Sequence, residues 1–101
     1  MIKVLYPDWL TRALRTDHAG ETGAVWIYRG ILTVSVNNSV RTFARLHLET
    51  ELKHLNKIES LLSQKHRSWL LPVWRIAGFF TGLIPALCGP DMTFHTIVAV
   101  E

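Results

Sequence analysis

Glu51 and His54 stand three residues apart in the run Glu51-Leu52-Lys53-His54-Leu55. On a helix that spacing sets them roughly 60° apart, so a carboxylate oxygen and an imidazole nitrogen can address one point. Glu51 also occupies a place where apolar residues are expected, one turn after Leu48 and one turn before Leu55. Glu21 interrupts another apolar stripe in the same way, between Leu14 and Val25, and Glu101 falls three and four residues after Val98 and Ile97. A buried ionised carboxylate is costly unless it is paired or bound to metal. Three inward acids and one imidazole therefore ask for a shared cation. Each also has a plainer reading. Glu49, Glu51 and Lys53 could form a solvated face, and Glu21 could pair with Arg12, Arg15 or Arg29. His18, one turn before Glu21, reads as a hydrogen-bonded core or boundary histidine, and His47, His66 and His95 as surface or boundary residues.

The elements that must position these groups are helices, and nothing alternates like a strand. Pro7 and Asp8 make a start signal with Asp8 as the expected N-cap, and the stripe Leu10, Leu14, Val25, Tyr28, Ile31, Leu32 carries a helix from Trp9 to about Val36. Asn37, Asn38 and Ser39 form a turn in which Ser39 can cap the next helix. That second helix, over residues 40–65, shows Ala44, Leu48, Leu55, Ile58 and Leu62, and His66-Arg67-Ser68 closes it. Residues 69–88 are strongly apolar with Arg75 their only charge. Gly89 and Pro90 end that run, Asp91 can cap, and a further helix opens over 92–101.

Composition sets outer bounds. With 101 residues, 49% hydrophobic and 19% charged, the chain fits at most one domain and is not disordered. A net charge of +3 without a basic stripe gives no reason to expect nucleic acid as a partner. The single Cys88 excludes an internal disulfide framework and a cysteine-based zinc site. No signal peptide is visible, since the apolar run Met1–Leu5 meets Tyr6, Pro7 and Asp8 at once.

Helix bundles solve the buried-acid problem in one known way. Di-iron and di-manganese carboxylate bundles take a Glu from each of two helices and a Glu-x-x-His from each of two others. Here Glu21, Glu51-x-x-His54 and Glu101 are present, and a second Glu-x-x-His is not.

Four blocks of this sequence resemble the demethoxyubiquinone hydroxylase family of ubiquinone biosynthesis. They are Asp17-His18-Ala19-Gly20-Glu21-Thr22-Gly23-Ala24 with Ile27-Tyr28-Arg29-Gly30, then Glu51-Leu52-Lys53-His54-Leu55, then Leu71-Pro72-Val73-Trp74-Arg75-Ile76-Ala77-Gly78-Phe79, then Thr96-Ile97-Val98-Ala99-Val100-Glu101. They occur in order and at the family's spacings. The resemblance implies an all-α, ferritin-like antiparallel helix bundle that binds two irons. Such an enzyme uses dioxygen and an external reductant, expected to be NADH-derived, to hydroxylate the ring of a polyprenyl benzoquinone. Carried over by position, Glu21, Glu51, His54 and Glu101 would ligate iron; read from its place one turn before Glu21, and not from the resemblance, Asp17 could orient the imidazole of His54 from outside the ligand shell. Gly20, Gly23 and Gly30, each costly in a helix interior, could admit a neighbouring helix or the flat ring, or equally serve ordinary tight packing. Trp26, where the family usually has a basic or polar residue, and Pro85 in the apolar segment depart from the pattern.

The apolar segment suits a lipid substrate. Residues 76–88 hold no charge, a run shorter than the roughly 20 residues a spanning helix needs. Trp69, Trp74 and Arg75 at one end are what a helix lying on a membrane surface would carry. The expected location is peripheral, on the cytoplasmic face of a bacterial inner membrane or the matrix face of the mitochondrial one. Expected partners are the polyprenyl quinone, the membrane surface and other ubiquinone-biosynthesis proteins. The bundle is expected to be incomplete, about three helices and the start of a fourth in a single partial domain over 1–101. Three outcomes are open: a piece of a longer enzyme, inactive alone; a short protein whose homodimer pairs two hairpins of residues 9–66 into one di-metal set; or a metal-free helical binding module. A rubrerythrin- or ferritin-type iron protein is the rival of another class, and the apolar segment speaks against it.

Overall fold

The computed structural model describes residues 6–101, and these residues form four α-helices and no strand. The helices are α1 (Asp8–Val34), α2 (Asn38–Leu61), α3 (Leu71–Leu87) and α4 (Pro90–Val100), with a short 3-10 turn at Gln64–His66. The all-α reading of the sequence holds.

Helix ends differ from the expected ones for identifiable reasons. Asp8 is the first helical residue rather than the cap; Pro7 precedes it in extended conformation, and its carbonyl accepts from the Leu10 and Thr11 amides. Asp8 still sits where a negative charge favours the helix dipole. Asn37, not Ser39, caps α2, its side chain accepting from the Val40 amide at 3.0 Å. The second helix stops at Leu61 instead of residue 65. Leu62 turns extended and tucks into the core at 2% exposure, which takes the chain off the helical path. Trp69 lies outside α3, which starts at Leu71 with Pro72 in its first turn, a position where the missing N–H costs nothing. Pro85 falls within the last turn of α3, close enough to its end to be tolerated. Gly89 then takes φ 110°, a left-handed conformation that reverses the chain, and Pro90 opens α4. Asp91 belongs to the first turn of α4 and makes no cap.

α1 is the spine, packed on α2 along one face and on α3 along another. Where α1 crosses α3 the backbones touch. A Cβ at Gly82 would run into the Ile27 carbonyl, one at Gly30 into the Phe79 carbonyl, and one at Gly78 would lie 2.6 Å from the Gly23 carbonyl oxygen. Gly30 thus admits a neighbouring helix as expected. Gly20 and Gly23 face open space at the Cβ position, so close packing is not what those two side-chain sites serve. The central cluster is Tyr28, Ile31, Val40, Ala44 and Ile97, drawn from α1, α2 and α4.

Candidate metal centre

Glu21 on α1 and Glu51 and His54 on α2 converge where those two helices pack. One donor atom from each lies within 4.8 Å of the others. His54 Nδ1 is 3.9 Å from Glu21 Oε2 and 3.8 Å from Glu51 Oε2. The three differ in exposure. Glu51 is 9% exposed, Glu21 is half-buried, and the His54 side chain is 58% exposed, so the imidazole forms the outer wall.

The plainer readings of the acids do not survive this geometry. Glu49 pairs with Lys53 at 3.7 Å on the solvent face, and Glu51 turns away from them. None of the arginines proposed for Glu21 reaches it among the described residues. Arg15 Nε instead donates to the His66 carbonyl, and the Arg29 guanidinium lies 4.7 Å over the Trp26 ring.

The electrostatics are those of crowded negative charge. The Glu51 carboxyl is pushed up to about 8 by burial first, then by the proton it can share with Glu21, and then by the charges of Glu21 and Glu101. Glu21 Oε2 is buried and has no hydrogen-bond partner. A cation would relieve both conditions by displacing the Glu51 proton and occupying the free lone pairs of Glu21. Two carboxylates with one imidazole suit a divalent first-row metal such as iron. The donor set fits.

Glu101 stands outside the 4.8 Å group yet near it. Its Oε1 accepts a 2.6 Å hydrogen bond from the Tyr28 hydroxyl, and its charge acts on both Glu51 and Tyr28. Burial chiefly, and this bond next, push the Tyr28 phenol well above its ordinary value. Asp17 is not where it was expected to serve. It is exposed, and among the described residues it has no hydrogen bond or ion pair to His54, because the next residue, His18, takes the inward face of that turn and leaves Asp17 on the solvent side. His18 does what its plainer reading said: 1% exposed, with Nε2 2.9 Å from Glu59 Oε2. Glu59 in turn lies 3.8 Å from Arg67 Nη1. Two hydrogen-bond partners near the site escaped the sequence reading, Glu59 for His18 and Tyr28 for Glu101. Tyr28 carried a usable signal, since a tyrosine on a buried stripe needs a partner for its hydroxyl.

The family pattern for ubiquinone biosynthesis protein COQ7 matches residues 8–101, almost the whole chain. The chain belongs to the COQ7 family. Among curated relatives, the NADPH-dependent 3-demethoxyubiquinone 3-hydroxylase of Dictyostelium discoideum is 37% identical over 94 residues, covering 91% of this chain and 43% of the relative. The human protein of the same name is 36% identical over 92 residues, 89% of this chain and 42% of the relative. The 3-demethoxyubiquinol 3-hydroxylase of Rhodospirillum rubrum is 38% identical over 95 residues, 91% of this chain and 45% of the relative. The COQ7-family chain thus spans less than half the length of these relatives. No solved structure matches it significantly.

Proposed function

We propose that this COQ7-family chain contributes Glu21, Glu51, His54 and Glu101 to a two-iron centre that hydroxylates the demethoxyubiquinone ring with dioxygen. The observation that carries the reading is the convergence of Glu21, Glu51 and His54 within 4.8 Å, on elements matched by relatives named as hydroxylases of that ring. Iron, when bound, supplies the activation of dioxygen. The chain's own residues do the rest. On metal binding Glu51 would release its proton to solvent, Glu21 would offer a buried oxygen without another partner, and His54 would close the solvent side. Names of the mitochondrial relatives specify NADPH, so nicotinamide-derived electrons are the reductant, and NADPH is the form proposed.

The substrate side is proposed to be α3. Val73, Ile76, Phe80, Ile84 and Leu87 are all exposed there, with Trp69 and Trp74 at its start. A groove of about 390 Å³ between Trp26 of α1 and Pro72, Arg75, Ile76, Phe79 and Phe80 of α3 opens on the same side. No helix among the described residues is long and apolar enough to cross a membrane. The exposed apolar face of α3 with its tryptophans supports a surface attachment, on an inner membrane, that brings a polyprenyl quinone to the bundle.

A second reading concerns the ligand count. The exposure of His54 opens the centre outward, which favours closure by a second set of ligands, from further helices or from a second copy. Anaerobic loading with ferrous iron tests both readings together with the native mass. Iron in a monomer or in complex with a longer partner supports the first, and one iron per chain in a dimer supports the paired hairpins. No iron uptake sinks both. Hydroxylation of a short-chain demethoxyubiquinone with NADPH and a reductase, against peroxide consumption, separates the hydroxylase from a rubrerythrin-type activity.

A further inference from the structure

Tyr28 is 1% exposed, and its hydroxyl donates a 2.6 Å hydrogen bond to Glu101 across 73 residues of sequence. Glu101 itself is exposed, at the end of α4. A carboxylate so placed would otherwise turn freely in solvent, losing rotamer entropy each time it was called to one geometry. The phenol that fastens it is buried and packed against other rings. Its ring lies 5.7 Å from that of His47, at 33°; His47 stacks on Phe43 at 4.0 Å; and Phe43 meets Phe94 edge-on at 5.7 Å and 82°. Phe94 belongs to α4, the helix that Glu101 follows. The aromatic chain therefore starts at Tyr28 on α1, crosses α2, and returns to the helix whose last carboxylate Tyr28 holds. Ile97 of α4 joins Val40 and Ala44 of α2 in the central cluster beside these links.

We propose that Tyr28 is a positioning residue of the metal centre, holding the Glu101 carboxylate close to Glu51 through Oε1 and leaving Oε2 available as a further oxygen donor. The inference rests on the metal-centre reading above. Carboxylates that bind metal are themselves hydrogen-bonded, and loss of such an outer partner typically weakens metal binding about 10- to 100-fold. Tyr28 serves no other polar group among the described residues, so its effect on metal must pass through Glu101.

Anaerobic cobalt(II) titration, followed by the visible ligand-field bands, tests this on the wild-type chain, Tyr28→Phe, Glu101→Gln and the double variant. Tyr28→Phe is expected to weaken cobalt affinity about tenfold and to shift the bands as Glu101→Gln does. The double variant is expected to bind no more weakly than Glu101→Gln alone, because Tyr28 acts only through the carboxylate that Glu101→Gln already removes. Thermal unfolding of the metal-free variants records any loss of fold. Glu101→Gln alters only an exposed side chain and keeps the test open if Tyr28→Phe folds poorly: it must weaken binding by itself. Affinity and bands unchanged in Tyr28→Phe overturn the inference while leaving the centre intact. So do losses that add in the double variant. A wild-type chain that binds no cobalt removes the centre and the inference with it.

Discussion

The sharpest consequence of burying Glu51 beside Glu21 is a stability that depends on pH in an unusual direction. In the metal-free fold the Glu51 carboxyl sits at about 8, against an ordinary 4.5, mainly because it is buried. Between those values the folded chain holds a proton that the unfolded chain has released. Stability is therefore full below about pH 4.5 and falls as pH rises toward 8. At about 1.4 kcal/mol per pH unit, the shift sets a ceiling of about 5 kcal/mol on that loss. Glu51→Gln keeps the shape and the polar contact and cannot ionise. Near pH 4.5 the variant should match the wild type within about 1 kcal/mol, and at pH 8.5 it should be more stable by about 2–5 kcal/mol. For a chain of this size that is a rise of on the order of 10 °C or more in the unfolding midpoint. Circular dichroism melts with a chelator present, at both pH values, make the comparison. A variant that is destabilised equally at both would refute the reasoning, because it would mean that packing at residue 51 outweighs charge. So would a wild-type chain whose stability does not fall between them.

Other parts of the account are open to single substitutions. Gly82→Ala should cost about 1–3 kcal/mol or more, because its Cβ meets the Ile27 carbonyl, whereas Gly20→Ala, facing open space in the same bundle, should stabilise by about 1 kcal/mol; urea unfolding compares them. Glu59→Leu should destabilise the fold by about 1–3 kcal/mol, since it leaves the buried His18 Nε2 without its acceptor, and it should not alter cobalt affinity, which calorimetry and titration read separately. Phe80→Glu on the outer face of α3 should reduce flotation with anionic phospholipid vesicles without lowering the melting temperature; equal flotation would remove α3 as the attachment face.

Much of the site was legible because charge on an apolar stripe is a contradiction that helical periodicity exposes. Glu21 and Glu51 broke their stripes, and the fold brings both to one point with His54. The helix count was legible for the same reason. What periodicity could not reach was contact across the chain. Asp17, adjacent to the site in sequence, proves to be on the solvent side, and Glu59, eight residues beyond Glu51, holds His18 instead. The Tyr28–Glu101 bond joins residues 73 apart and depends on how α4 returns after Gly89, a reversal that no local pattern dictates in angle. Helix ends shifted where a side chain found the core, as Leu62 did, or where an asparagine reached back to cap, as Asn37 did. The glycines divided in the same way. Gly30 against a neighbouring helix was expected, but Gly78 and Gly82 on α3 make the same kind of demand and were not singled out, because their need is set by the partner backbone on α1.

The measurement that bears most directly on the whole account is ferrous iron binding under anaerobic conditions, read as iron retained per chain, for the wild type beside Glu21→Gln, Glu51→Gln and His54→Ala. The convergence of these donors predicts saturable uptake by the wild type near neutral pH, accompanied by release of the Glu51 proton, and weakening of about tenfold or more in each variant. Uptake that is absent in the wild type, or equally strong in all three variants, would contradict the assignment of Glu21, Glu51 and His54 as a metal centre.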